Sequence, residues 1–167
     1  MKATTFAVVV SLPLSIFAQS PSPTADEKFQ RLASAYIEEE LASNPERATE
    51  LGDHRFDDIL TDYSHASRDR ILAAQKQFKI EAGALDPAQL SQTNNVDLRI
   101  LKDSIDNRIF DLEELKDADW NPLVYNQSLA NSLYLLVARD FDSKEKRIPN
   151  LMARSHRDGD RTNPGRD

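Results

Sequence analysis

The chain has 167 residues, of which 28 are acidic and 21 basic, so its formal net charge is -7, and it contains no cysteine. A hydrophobic content of 40% at this length predicts one globular domain and excludes a disulfide framework and wholesale disorder. The acidic balance and the lack of a concentrated basic face argue against a nucleic-acid-binding protein.

The first 18 residues have the pattern of a secretory signal peptide. Lys2 supplies a positive charge, an apolar run from Phe6 to Ala18 follows, and Ala18 is a small residue suited to cleavage. The run is shorter than the roughly 20 residues that span a bilayer, so we predict no membrane span. We therefore expect a signal peptide over residues 1–18, export to the periplasm or extracellular space, and a polar tether over residues 19–25.

Helical periodicity begins after the tether. Apolar residues three and four apart predict a first helix over about Asp26–Ala42. Asn44 as N-cap and Pro45 at the first helical position predict a short second helix, which Gly52 ends. The apolar stripe of the first helix contains Phe29, Leu32, Ala33, Tyr36, Ile37 and Leu41.

Two longer helices are predicted next. Ser64 is expected to cap a third helix that stops at Gly83, with Ile71, Leu72, Gln75 and Phe78 on one face. Asp86 and Pro87 provide a start signal for a long fourth helix. Its helix propensity is weakest near residues 93–95, where it could break, and Trp120-Asn121-Pro122 ends it. Its stripe contains Val96, Leu101, Ile105, Ile109, Leu112 and Leu115, widened by Leu98, Ile100 and Phe110.

The remaining pattern completes an all-α prediction. A fifth helix is expected over about Asn126–Arg139 and a sixth after Ser143, and no stretch alternates with the period of a strand. Because the connections are short, we predict antiparallel helical hairpins in an irregular helical bundle of about six helices.

The composition changes at the C-terminal end. We predict a helical domain over residues 26–154 and a disordered polar tail over residues 155–167, which contain no apolar side chain. A frayed, solvated terminus is one interpretation of this tail. The other is a shifted reading frame or a shortened chain, and the family resemblance described next favours it.

Several motifs carry that resemblance. Residues 44–58, NPERATELGDHRFDD, followed by Leu60, Asp62 and Ser64, resemble the N-terminal signature of a bacterial family, domain of unknown function 885. Residues 97–101, 120–125 and 144–154 resemble later motifs in the family's order. The resemblance covers about Asp26 to Arg154 and only the first part of the family. It implies an exported, mostly helical protein whose longer relatives carry an HExxPGH segment like that of zinc peptidases.

The chemistry implied by the resemblance has a definite requirement. Two His at positions i and i+4 of a helix can bind one zinc, and the intervening Glu can act as general base. This chain has three His, at 54, 65 and 156, and no HExxH. We therefore expect truncation before that motif, no catalytic, cofactor-binding or metal residues in this chain, and zinc only in full-length relatives.

Three other groups of side chains contain residue types that could form a metal, catalytic or ligand site. His54 with the carboxylates of residues 53, 57, 58 and 62 has neither zinc nor EF-hand spacing, so a solvated, helix-capping loop is expected instead. Glu38-Glu39-Glu40 is expected to be a solvated face rather than paired catalytic carboxylates. Trp120 and Tyr125, on either side of Pro122, are expected to form a packed helix corner rather than a ligand cage.

Weaker signals are set aside. His65 is expected on the surface of a first helical turn. Asp158-Gly159-Asp160 resembles a calcium loop only faintly, since arginines surround it and no Glu closes it. Asn126-Gln127-Ser128 is a glycosylation sequon inside a predicted helix.

Two functions from different classes remain. One is the N-terminal helical part of a larger metallopeptidase-like hydrolase, inactive alone, whose partner would be the missing C-terminal half. The other is a complete small periplasmic helical module that binds a protein or peptide. The first predicts unburied apolar helix faces, and the second predicts a monodisperse protein that melts cooperatively.

Overall fold

The computed structural model describes residues 22–157, so the predicted signal peptide and residues 158–167 lie outside the described residues. The all-α prediction is confirmed, and no strand occurs in the described part of the chain. One-turn 3-10 helices lie at His54–Phe56 and Pro87–Gln89, and a π-helical turn lies at Asp111–Leu115. The α-helices are α1 Ala25–Ser43, α2 Pro45–Leu51, α3 His65–Gly83, α4 Gln92–Phe110, α5 Asp117–Trp120, α6 Pro122–Ala138 and α7 Lys144–Arg157.

Helix α1 is fixed at both ends by side chains. Thr24 and Glu27 form a capping box, which satisfies two of the backbone N–H groups that a helix start leaves unpaired. At the other end the Asn44 amide donates to the Glu40 carbonyl oxygen at 2.8 Å. Asn44 is the N-cap residue of α2, as predicted, but its side chain makes no capping hydrogen bond to that helix.

The apolar core is a three-helix arrangement of α1, α3 and α4. Tyr36 meets Phe78 edge-to-face, with ring centroids 5.5 Å apart, as aromatic quadrupoles favour. Ile37 and Ile100 belong to the predicted stripes but remain more than half exposed, because the neighbouring helices cover a narrower face than the periodicity suggests. The buried cluster consists of Phe29, Leu32, Ala82, Leu98, Leu101 and Ile105.

Helix α4 begins later than predicted. Asp86 accepts from the Ala88 N–H at 3.0 Å, but the helix it starts is a single 3-10 turn that ends in extended backbone at Leu90. Ser91 then acts as a second N-cap, accepting from the Asn94 N–H at 3.3 Å. Asp86 and Ser91, five residues apart, each cap a helix. The chain therefore forms a short 3-10 turn followed by α4, instead of one continuous helix from Asp86.

The predicted fourth helix also ends earlier. The backbone turns left-handed at Lys116, with φ 48°, after the π-helical turn. Asn121 caps α6 by accepting from the Leu123 N–H at 3.1 Å. Pro122 occupies the first position of α6, so this proline begins a new helix in addition to following the end of the previous one. Helix α7 begins after Ser143 as predicted and continues to Arg157, three residues into the predicted tail.

The second half of the fold consists of α2, α6 and α7. Helix α6 contacts α2 on one side and α7 on another. Within residues 22–157, this half of the fold contributes Pro45, Ala48 and Leu136 to the buried apolar side chains, whereas the other seven lie in α1, α3 and α4. None of the helices within residues 22–157 is long and apolar enough to cross a bilayer.

Candidate functional site

Arg154 on α7 is fully buried and joins the signature segment, residues 44–64, to α6 and α7. The Arg154 guanidinium donates to the Thr49 hydroxyl at 2.8 Å, the Ser132 carbonyl at 2.9 Å and the Ile59 carbonyl at 3.1 Å. Burial lowers the pKa of Arg154, and the charge of Asp57 opposes that shift. The Arg154 side chain therefore connects α7 to three other parts of the chain: to α2, to α6, and to the segment between α2 and α3.

Asp57 completes this polar network. Its carboxylate accepts from the Thr49 hydroxyl at 2.7 Å and lies 3.0 Å from the His54 ring and 3.9 Å from the Arg154 guanidinium. The His54 ring stacks on Phe141, with centroids 3.8 Å apart. Asp57 is only 2% exposed, so the expected solvated loop is wrong at this position: its carboxylate is needed beside a buried guanidinium.

The other acidic residues of the signature do cap or pair locally. Asp53 accepts from the Arg55 N–H at 3.1 Å, and hydrogen bonding to Arg55 lowers the pKa of Asp53. Asp62 accepts from the Ser64 N–H at 2.9 Å. The capping role predicted for this loop is therefore confirmed at Asp53, whereas Asp62 stabilises the turn before α3, which Ser64 caps.

The donor set does not fit zinc. The Nδ1 of His54 faces Asp57, and the Nδ1 of His65, at the exposed start of α3, lies 2.8 Å from Arg68. Within residues 22–157, no group of three or more His, Cys, Asp or Glu side chains could hold a metal ion. The side chain of His156 and the Asp158-Gly159-Asp160 segment lie outside the described residues.

Glu38, Glu39 and Glu40 do not converge on one point. Glu38 binds Arg55 at 2.9 Å and Glu39 binds Arg70 at 2.7 Å. Glu40 is half-buried and accepts from the Gln75 amide at 2.8 Å. Burial raises the pKa of Glu40, partly offset by the charge of Arg108, so Glu40 departs from the solvated face expected for all three.

The corner around Pro122 is held by hydrogen bonds. The Trp120 indole N–H donates to the Leu115 carbonyl at 2.9 Å, and the Tyr125 hydroxyl donates to the Ala118 carbonyl at 2.6 Å. Tyr125 also meets Tyr63, with ring centroids 4.9 Å apart. These contacts agree with the predicted helix corner, although the Trp120 ring is 68% exposed and is not packed as expected.

Glu46 is a residue that sequence reasoning missed. Its carboxylate accepts from the Thr61 N–H at 3.0 Å and from the Ser128 hydroxyl at 2.9 Å, and also bonds the Thr61 hydroxyl. It thereby ties α2 to the segment before α3 and to α6. Glu46, Thr49 and Arg154 all lie within the resembling motifs, and only that membership signals them.

An exposed apolar surface lies where α6 and α7 meet. Tyr134 is 67% exposed, Val137 64% and Ile148 55%. Val137 and Ile148 line a groove of about 270 Å³ whose walls include Leu136 and Leu151. We call Tyr134, Val137, Ile148 and Leu151 the α6–α7 apolar surface.

Comparison with known proteins identifies the family. Residues 45–159 match the profile of the family described as "Bacterial protein of unknown function (DUF885)". No curated protein and no solved structure matches the chain. The match includes the buried network of Thr49, Asp57 and Arg154 and spans more than half of the sequence. The chain therefore belongs to the DUF885 family.

Proposed function

We propose that this chain is an exported, non-catalytic helical platform from a metallopeptidase-like hydrolase. The α6–α7 apolar surface is the single observation that carries the proposal. In the proposed arrangement it packs against further helices of a larger fold, and those helices supply the zinc-binding HExxPGH segment. The chain alone then has no hydrolytic activity.

The polar contacts support this assignment because they fix α6 and α7 firmly. Arg154 bonds the Ser132 carbonyl on α6, and Arg147 bonds the Leu136 carbonyl at 3.2 Å. Helices anchored in this way cannot easily rotate their apolar side chains inward. Contiguous apolar surface on a soluble protein commonly marks an interaction site, so a covering partner is expected.

The commitment of the signature residues to structure also supports the proposal. The functional groups of Asp57 and Arg154 are buried and hydrogen-bonded, whereas a catalytic group needs a side that is open to substrate. The His54 ring is partly exposed, but it contacts Asp57 and stacks on Phe141. Structural roles therefore account for these residues of the motif, and no catalytic role is needed to explain them.

Sequencing the gene across codons 150–167, followed by translation of all three downstream frames, tests the proposal. A frame that resumes apolar helices after Arg154 and reaches HExxPGH would support it. Absence of such a frame in the intact gene would contradict the larger fold.

The groove between α6 and α7 favours a second candidate, a complete small periplasmic module that binds an apolar side chain of a peptide or protein. Its volume of about 270 Å³ and its four apolar lining residues, Leu136, Val137, Ile148 and Leu151, suit such a group, and Lys144 and Arg147 complete the lining. This alternative predicts a monodisperse monomer, whereas an uncovered packing surface predicts self-association.

A further inference from the structure

A second cavity is lined by residues of the segment before α3, of α3 itself and of the end of α4. Its volume is about 260 Å³. Two arginines, Arg68 on α3 and Arg108 on α4, share its lining with Tyr63 and Lys116. Ile71, Leu112 and Val124 provide apolar wall, so the cavity combines cations with a nonpolar surface.

Arg108 is the unusual member of this lining. Within residues 22–157 its guanidinium makes no side-chain hydrogen bond or ion pair, and its Nε is buried without a partner. Arg68, by contrast, binds Asp119 at 2.6 Å and His65 at 2.8 Å, although its Nε is also buried and unpaired. A partly buried guanidinium without a partner is costly and is normally satisfied by an anion or by water.

Four acidic residues lie within electrostatic reach of Arg108 or line the same cavity, and three of them accept hydrogen bonds from other groups. Glu40 is within electrostatic reach, but its carboxylate accepts from Gln75 and Asn44 instead. Asp62 and Asp117 line the cavity and accept from the Ser64 N–H at 2.9 Å and the Asn121 amide at 3.0 Å. Asp111 also lines the wall, but its side chain is exposed to solvent, which screens its charge.

We propose that this cavity binds a small molecule in which a carboxylate is attached to an apolar group. Arg108 binds the carboxylate through charge-assisted hydrogen bonds, and Ile71, Leu112 and Val124 contact the apolar group. The left-handed turn at Lys116, whose N–H closes onto the Asp111 carbonyl at 2.8 Å, holds one wall in place. The proposal does not depend on the function proposed for the α6–α7 apolar surface.

The test uses the full chain, labelled with ¹⁵N, and three probes that share a benzyl group and differ in charge: phenylacetate, phenylacetamide and phenethylamine. Amide chemical shifts are followed during each titration. Phenylacetate is expected to bind at least about tenfold more tightly than the other two, because only it carries the anion that Arg108 requires. The affected amides are expected within residues 61–63 and 108–118.

Arg108→Gln is expected to weaken phenylacetate binding at least about tenfold. Arg99→Gln, at an exposed position of the same helix, is the matched control and should leave binding unchanged. Should Arg108→Gln fail to fold, Arg108→Lys keeps the charge but loses the planar fork, and a weakening of about threefold or more is expected.

Four results would overturn the proposal. Phenylacetamide could bind as tightly as phenylacetate, or phenethylamine could bind most tightly, which would assign the cavity to its acidic residues. Alternatively, phenylacetate could cause no shifts at millimolar concentration, or shifts only outside the two segments.

Discussion

At the residue scale, the chain uses a buried charge network where a small domain would ordinarily use apolar packing. The Arg154 guanidinium bonds three separate segments, and Thr49 both accepts from Arg154 and donates to Asp57. Breaking such a network by removing one partner leaves the others buried and unpaired, which is far more costly than never having built it.

Arg154→Met is therefore expected to lower the free energy of unfolding by about 3–5 kcal/mol, because Asp57 loses its buried counter-charge. Urea denaturation measures this change. Arg47→Met is the control: the Arg47 side chain is 61% exposed and forms a surface ion pair with Glu50, so a loss below about 1 kcal/mol is expected. Equal losses in the two variants would contradict the structural role of Arg154.

Should Arg154→Met not fold, Thr49→Val tests the same network more gently. Valine keeps the shape of threonine but cannot accept from Arg154 or donate to Asp57. We expect a loss of about 1–3 kcal/mol in urea denaturation, because two buried polar groups lose a hydrogen bond.

Glu40 provides a pH-dependent prediction. Burial raises its pKa above the ordinary value of 4.5, so the folded state retains the proton to higher pH than the unfolded chain. The stabilisation from this group is present below pH 4.5 and is lost as the pH rises through the folded-state pKa. Glu40→Gln, which can still accept from Gln75, should therefore gain stability relative to the unsubstituted chain as the pH rises from about 4 to 7.

Urea denaturation of both proteins across that pH range measures the difference directly. Glu38→Gln is the control, because Glu38 is 58% exposed and forms a surface ion pair with Arg55. A stability difference for Glu40→Gln that shrinks with rising pH would contradict the assigned sign.

At the element scale, the helix ends determine the topology. Gly52 ends α2 with φ 90°, in the left-handed region that glycine adopts without steric cost. Gly83 lies within the last turn of α3 in ordinary helical geometry. A Cβ added at either position would meet nothing within 4 Å, so backbone conformation alone distinguishes the two glycines.

We expect Gly52→Ala to destabilise the protein by about 1–2 kcal/mol, since alanine resists the left-handed conformation. Gly83→Ala should instead stabilise it by up to about 1 kcal/mol, because alanine loses less backbone entropy in a helix. Thermal unfolding measures both changes. Two shifts of the same sign would show that something other than backbone geometry dominates.

Helix boundaries also show how far sequence reasoning reaches. The Ser64 cap and the Gly52 stop were predictable because each depends on chemistry within a few residues. The break at Lys116 was not, because a lysine in left-handed backbone carries no local signal. The burial of Arg154 and Glu46 depends on partners up to 105 residues away, which periodicity cannot reveal.

At the scale of the whole molecule, packing is uneven. The core cluster of α1, α3 and α4 is buried, although Ile37, Ile80 and Ile100 on the outer faces of these helices are more than half exposed. Tyr134, Val137 and Ile148 are also exposed, and they lie on helices that polar contacts hold in position. We therefore propose that the α6–α7 apolar surface is the functional part of the domain. Self-association is the simplest consequence of leaving this surface uncovered.

Sedimentation velocity of the full chain over a range of concentrations tests this claim most directly. The account predicts that the chain self-associates as concentration rises and that Val137→Asp combined with Ile148→Asp makes it monomeric without loss of helicity. The control, Ile80→Asp combined with Ile100→Asp, changes positions that are 66% and 59% exposed elsewhere and should still associate. A chain that stays monomeric at every concentration, or associates equally with Val137 and Ile148 replaced, would contradict the account.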